Sequence, residues 1–212
     1  MKKIVILLFV LISSISYGQD AKALLDDVAQ KIKSYDNIYI EFENKLDNKA
    51  ANLHQESKGN STLQGELYQF NYMGAEHMYD GDKIYMIIHE FEEVVIKKPN
   101  SDDETTITPS KMLTFYENGY TYEMDILQNV NGRKIQFVKL IPIDSDSEME
   151  SVLLGIDSVT KHIYKVIETG QDDTVTTITI SKFVTNQPIS NKLFTFDKEK
   201  FTAKGYDITE PK

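Results

Sequence analysis

The sequence predicts a mainly β protein, a curved antiparallel sheet with two helices against its concave side. Three observations carry that expectation. The apolar period switches from helix to strand within a few residues near position 35 and stays strand-like in most later segments. Turn pairs such as Asp80-Gly81 and Asn131-Gly132 separate short runs rich in Val, Ile, Tyr and Phe. Parallel crossovers need a helix between strands, and the chain offers almost none, so an antiparallel sheet of nine or ten strands is expected throughout.

Residues 20–34, "DAKALLDDVAQKIKS", read as a helix. Leu24, Leu25, Val28 and Ile32 form one apolar stripe, with Asp20 as the expected cap. In "NIYIEFENKL", Ile38, Ile40 and Phe42 fall on one face. "STLQGELYQFNYM" reads as one strand, with Tyr68, Phe70 and Tyr72 on a shared face and a bulge or bend at Gly65. "KIYMIIHEF", "EEVVIKK", "YTYEMDILQ", "RKIQFVKLIPI", "SVLLGID", "KHIYKVIET" and "TVTTITISKF" follow, and "NKLFTFD" reads as the final strand before a polar tail.

"TPSKMLTFYENGY" breaks the strand pattern. Thr108 is a good N-cap, Pro109 suits the first helical position and Gly119 suits a left-handed stop. The short helix they bound puts Met112, Leu113, Phe115 and Tyr116 on one face, which must be buried to be stable. Periodicity leaves two readings open: a filled core, or a hollow between sheet and helices lined by apolar side chains.

Of 212 residues, 41% are hydrophobic and 26% charged, an ordinary globular composition. Lys2 and Lys3 precede the apolar run "IVILLFVLISSIS", and Ser16-Tyr17-Gly18 supplies small residues for cleavage. A signal peptide over 1–18 is expected, followed by an exported single domain over 19–212. The run is too short for a spanning anchor, which needs about 20 apolar residues. With no cysteine, disulfides, thiolate metal sites and cysteine nucleophiles are excluded. Removing the leader leaves 21 basic against 33 acidic residues, a balance that argues against nucleic acid and anionic membrane surfaces.

Chemistry-bearing motifs are scarce. His54, His77, His89 and His162 share no metal-type spacing and read as surface or strand-face residues. Asp144 to Glu148, "DSDSE", lacks the glycine and spacing of a calcium loop. No nucleophile elbow, phosphate loop or dinucleotide fingerprint occurs, so no enzyme activity, cofactor or metal is expected.

The order of segments resembles the LolA family of periplasmic outer-membrane lipoprotein carriers over essentially the whole mature chain. The matching pieces are "LLDDVAQKIKS", "IEFENKL", "QESKGNSTLQGELYQFNYM", "DGDKIYMIIHEFEEVVI", "TPSKML", "LLGIDSVTKHIYKVIE" and "LFTFDKEKF". The resemblance implies an incomplete antiparallel β-barrel, a half-barrel whose N-terminal helix and short lid helices cover an apolar cavity. It implies a monomeric carrier that takes acylated lipoproteins from an inner-membrane exporter to an outer-membrane acceptor. The residues expected to contact acyl chains are Leu24, Leu25, Val28, Ile32, Ile38, Ile40, Phe42, Tyr68, Phe70, Tyr72, Met112, Leu113, Phe115 and Tyr116. Two family features are replaced: an Arg-Pro pair on the second strand by Gln64-Gly65-Glu66, and a late Pro-Pro by Asp197-Lys198-Glu199. The alternatives are a carrier of another exported lipid and a non-enzymatic protein-binding module with a filled core.

Overall fold

The computed structural model describes Gly18, residues 20–99, Lys111 and residues 113–210. The expected leader up to Tyr17, the Thr108 cap with Pro109, and Met112 lie outside the described residues. Helix α1 covers 20–33; Gly18 is already helical, so Asp20 lies inside the helix and does not cap it.

Twelve strands are described: β1 (Ile38–Asn48), β2 (Leu53–Gln64), β3 (Leu67–Tyr72), β4 (Ala75–Tyr79), β5 (Ile84–Ile88), β6 (Glu93–Lys97), β7 (Tyr120–Val130), β8 (Arg133–Pro142), β9 (Met149–Asp157), β10 (Ile163–Gly170), β11 (Val175–Thr185) and β12 (Asp207–Thr209). Hydrogen bonds join them in the order β12-β6-β5-β4-β3-β2-β1-β11-β10-β9-β8-β7. The fold is mainly β, one open, unclosed sheet with few helices, as an incomplete barrel requires. No helix among the described residues is long and apolar enough to cross a membrane.

Twelve described strands exceed the nine or ten expected, and four further expectations are corrected. The sheet is not antiparallel throughout, because β12 pairs with β6 in parallel. The crossover this demands comes from the supposed polar tail, which contains a 3-10 turn (Asn191–Phe194) and helix α2 (Lys198–Ala203). "NKLFTFD" is therefore not a strand: the Ser190 hydroxyl accepts a hydrogen bond from the Lys192 N–H and starts the 3-10 turn. "STLQGELYQFNYM" is two strands and not one: Gly65, expected at a bulge or bend, lies in the turn between β2 and β3 with φ +58°. The expected helix ending at Gly119 is described only as a helical residue at Lys111, a turn at Leu113 and Thr114, and a 3-10 turn over Phe115–Glu117. By contrast, Asn131-Gly132 forms the expected two-residue hairpin turn between β7 and β8, with positive φ at both residues.

The chain divides into two compact units. One comprises Met1–Ser34, Lys45–Gln55 and Leu113–Thr179. In it, α1 buries Ala21, Leu25, Val28, Ala29 and Ile32, a stripe at i, i+4, i+7, i+8 and i+11. Salt bridges from Asp27 to Lys161 (3.4 Å) and from Lys33 to Glu117 (3.0 Å) tie its length to the β9–β10 turn and to the 3-10 turn. Tyr122 on β7 donates to the Tyr116 carbonyl (2.8 Å), so its face of the sheet is the one beside the Phe115–Glu117 turn. Leu140 and Val152 share that register row and are fully buried.

Tyr116 is itself fully buried, and its hydroxyl has no partner among the described residues. Desolvation pushes its pKa far up, and Glu117 and Asp26 add to the shift. An unpaired buried hydroxyl costs free energy, so Tyr116→Phe is expected to stabilise the protein by about 1 kcal/mol. A urea midpoint that stays put or falls would contradict this.

Asp157, 4% exposed, anchors the β9–β10 turn. Its carboxylate accepts the N–H groups of Val159 (2.9 Å) and Thr160 (3.0 Å) and the Arg133 Nε–H (2.8 Å). Burial pushes its pKa up, but these donors outweigh it and hold the group below the usual carboxylate range. A depressed folded-state pKa means stability that is complete above the unfolded value, about 3.9, and lost as pH falls through the folded one. Asp157→Asn is expected to cost about 1–3 kcal/mol at pH 7 and to flatten the acid limb of the stability curve. Parallel acid limbs in urea melts of the two proteins would rule this out.

The other unit comprises Tyr35–Asn44, Glu56–Met112 and Ile180–Lys212. Its core is Met78, Tyr85, Ile87, Val94 and Ile96, against which Phe196, Phe201, Tyr206 and Ile208 pack. Phe196 stacks on Tyr85 at 4.6 Å and on Phe201 at 5.2 Å. The C-terminal segment thus covers one face of β4–β6, and β12 covers the outer edge of β6.

Candidate functional site

The opposite face of the second unit is also apolar. The register sets three rows across β3, β4, β5 and β6: Tyr68–Tyr79–Ile84–Lys97, Phe70–His77–Met86–Val95 and Tyr72–Ala75–Ile88–Glu93. Side chains in one antiparallel row point the same way, and the buried core residues Met78, Tyr85, Ile87, Val94 and Ile96 alternate with them. Phe70, Tyr72, Ile84, Met86, Ile88 and Val95 are half-buried, neither covered like a core nor free like a surface.

Aromatic packing extends this face to β1. Phe42 stacks on Phe70 with ring centres 5.9 Å apart and planes 9° apart, and lies 5.7 Å from Tyr72. Gly59 on β2 makes room for it: a Cβ there would stand 2.3 Å from the Phe42 ring. Ile38 and Ile40 share the Phe42 face by alternation and are buried.

The residues expected from the sequence therefore fall in two groups. Ile38, Ile40, Phe42, Tyr68, Phe70 and Tyr72 belong to the second unit, where Phe42, Phe70 and Tyr72 meet directly. Leu24, Leu25, Val28, Ile32, Leu113, Phe115 and Tyr116 belong to the first. There Leu25, Val28, Ile32, Leu113 and Tyr116 are buried, while Leu24 and Phe115 are half-buried.

Sequence reading missed Ile84, Met86, Ile88 and Val95. β5 reads "IYMII" and β6 reads "EVVIK", apolar at both parities because both faces of these strands are apolar, and such a run hides which residue faces where. β4, "AEHMY", was missed altogether because it alternates small, charged and aromatic residues.

Two hollows carry charged side chains. A groove of about 560 Å³ in the second unit is lined by Phe42 and Tyr72 but also by Glu41, Glu43, Lys58 and Glu76. Glu41 is paired with Lys182 and Glu43 with Lys58. A cavity of about 550 Å³ in the first unit is lined by Glu148, Met149, Glu168, Asp172, Thr174 and Thr176, and burial pushes the Glu168 carboxyl up. Among the described residues no group of three His, Asp or Glu could hold a metal ion.

The family model described as outer membrane lipoprotein carrier protein LolA matches residues 34–197. No curated protein gives a significant match. Among solved structures, an uncharacterised conserved protein from Thermus thermophilus aligns with a TM-score of 0.60 at 8% identity, over 91% of this chain and 99% of that one. LprF from Mycobacterium bovis aligns with a TM-score of 0.51 at 12% identity, over 81% and 95%. A LolA superfamily protein from Nitrosomonas europaea aligns with a TM-score of 0.43 at 10% identity, over 83% and 97%. At such identities the first two likenesses are of fold alone.

Proposed function

Because the chain belongs to the LolA family, we propose that it is a non-enzymatic periplasmic carrier that binds the acyl chains of lipoproteins and shuttles them between membranes. One observation carries this reading: the second unit has an apolar face left over. Its core is already complete on the other side of β4–β6, where the C-terminal segment packs. A module with only a filled core has no use for Phe70, Ile84, Met86, Ile88 and Val95 aligned and half-buried on the reverse.

The energetics fit a carrier. Each buried CH₂ is worth about 0.8 kcal/mol, so a sixteen-carbon chain needs a surface worth on the order of 12 kcal/mol to leave a membrane. Half-buried apolar side chains offer such a surface without the irreversibility of a closed core. In this reading Tyr68, Phe70, Tyr72, Phe42, Ile38 and Ile40 contact the chains. The first unit's own stripe, Leu24, Leu25, Val28 and Ile32, with Leu113, Phe115 and Tyr116, offers cargo a further apolar surface. An inner-membrane exporter and an outer-membrane acceptor are the partners.

Native mass spectrometry of the protein taken from the periplasm of its host tests the reading. An adduct containing acylated polypeptide is expected. An adduct of lipid size alone would make it a carrier of another exported lipid. A bare mass, with no uptake of an added acyl probe, would leave a protein-binding module.

A further inference from the structure

The half-buried face of β3–β6 carries four polar groups besides those at its margins, and two of them are already engaged. The Tyr72 hydroxyl takes hydrogen bonds from Asn44 Nδ2 (2.7 Å) and the Ser57 hydroxyl (2.9 Å). The Tyr79 hydroxyl donates to the Gly81 carbonyl (2.9 Å). Among the described residues the side chains of Tyr68 and His77 have no hydrogen-bond partner, although Tyr68 is only 4% exposed and His77 is half-buried beside Phe70, with ring centres 6.0 Å apart. Neither is among the sealed, unpaired polar atoms of the described residues, and His77 is partly exposed. Polar groups on an apolar surface are costly when a ligand covers them without pairing them.

Resting on the acyl-carrier reading, we propose that Tyr68 and His77 are a polar anchor that hydrogen-bonds the ester or amide carbonyl of an acylated ligand. The face thereby selects acyl esters over bare hydrocarbon. The geometry suits the role. Tyr68 faces Tyr79 and His77 faces Phe70, which makes Tyr68 and His77 diagonal neighbours, roughly 7–8 Å apart at the backbone. Met86 and Val95 continue the His77 row, so chains leaving the anchor run over hydrocarbon.

Burial, and then Lys97, hold the His77 pKa below its ordinary value, so near neutral pH the ring offers one donor and one acceptor. The titratable groups facing it are Tyr68 and Tyr72 from β3, Tyr79 on its own strand, and Glu93 and Lys97 from β6; β5 contributes only Ile84, Met86 and Ile88. A ligand over the ring excludes water from it, so protonation opposes binding. Affinity for an acyl ester falls as pH drops through the His77 value.

The test compares three probes on the full mature chain: diphenylhexatriene, palmitate and a synthetic dipalmitoyl lipopeptide. In His77→Leu and Tyr68→Phe, the ratio of lipopeptide to diphenylhexatriene affinity is expected to fall about three- to tenfold, the worth of one neutral hydrogen bond. His77→Gln restores most of the ratio and abolishes its decline at acidic pH. An unchanged ratio, or equal loss of both probes, overturns the anchor. A loss confined to palmitate assigns the pair to a free carboxylate and overturns the ester reading. If the wild-type protein takes up no probe at all, the carrier reading itself fails.

Discussion

Met86→Asp is expected to abolish acyl-chain uptake, lowering affinity at least about a hundredfold, while the protein stays folded. Met86 sits in the central row of the half-buried face, between His77 and Val95. A carboxylate there would have to lose water whenever a chain covered it, at a cost of several kcal/mol. In the empty protein the same carboxylate keeps part of its hydration, because the position is only half-buried. The core lies on the other side, at Tyr85 and Ile87, and is untouched. Acyl-probe fluorescence and a urea melt, done together, separate the two effects. Normal uptake by a folded variant would exclude this face as the binding surface. Leu113→Asp is a poorer test: Leu113 is 3% exposed, so an aspartate would bury its charge in the first unit and report on folding as much as on uptake.

Gly59→Ala is expected to destabilise the second unit by about 1–3 kcal/mol and to weaken uptake, through overpacking. The new methyl would meet the Phe42 ring at 2.3 Å and the Asn71 carbonyl oxygen at 2.7 Å. The ring can swing away, at the expense of its stack on Phe70; the carbonyl belongs to the β2–β3 ladder and cannot. Phe42→Ala should therefore cost less in the Gly59→Ala background than in the wild-type protein, a coupling that a double-mutant cycle measures. Strictly additive effects would mean that Gly59 and Phe42 do not meet as described.

The period change that separates α1 from β1, the Asn131-Gly132 hairpin and the alternation of Ile38, Ile40 and Phe42 were all legible, because local sterics and amphipathicity fix them before any tertiary contact forms. The C-terminal segment misled. "NKLFTFD" alternates like a strand, yet Phe194 and Phe196 find their partners by leaving the sheet and packing with their neighbours onto it. No local rule foretells that a three-residue strand will return to β6 in parallel, since the pairing depends on a partner distant in the chain.

The functional face divides the same way. The sequence by itself determined that an aromatic strand, Tyr68 to Tyr72, would present its rings on one side, because side chains on a strand alternate with a period of two. Tertiary structure alone decided which side of β5 and β6 would be core and which would stay half-buried. Both sides of "IYMII" are apolar, and only the arrival of Phe196, Phe201, Tyr206 and Ile208 on one of them leaves Ile84, Met86 and Ile88 on the other. It also decided that His77, one strand-face histidine among four in the sequence, stands amid hydrocarbon, because register between strands is a property of the pairing and not of either strand.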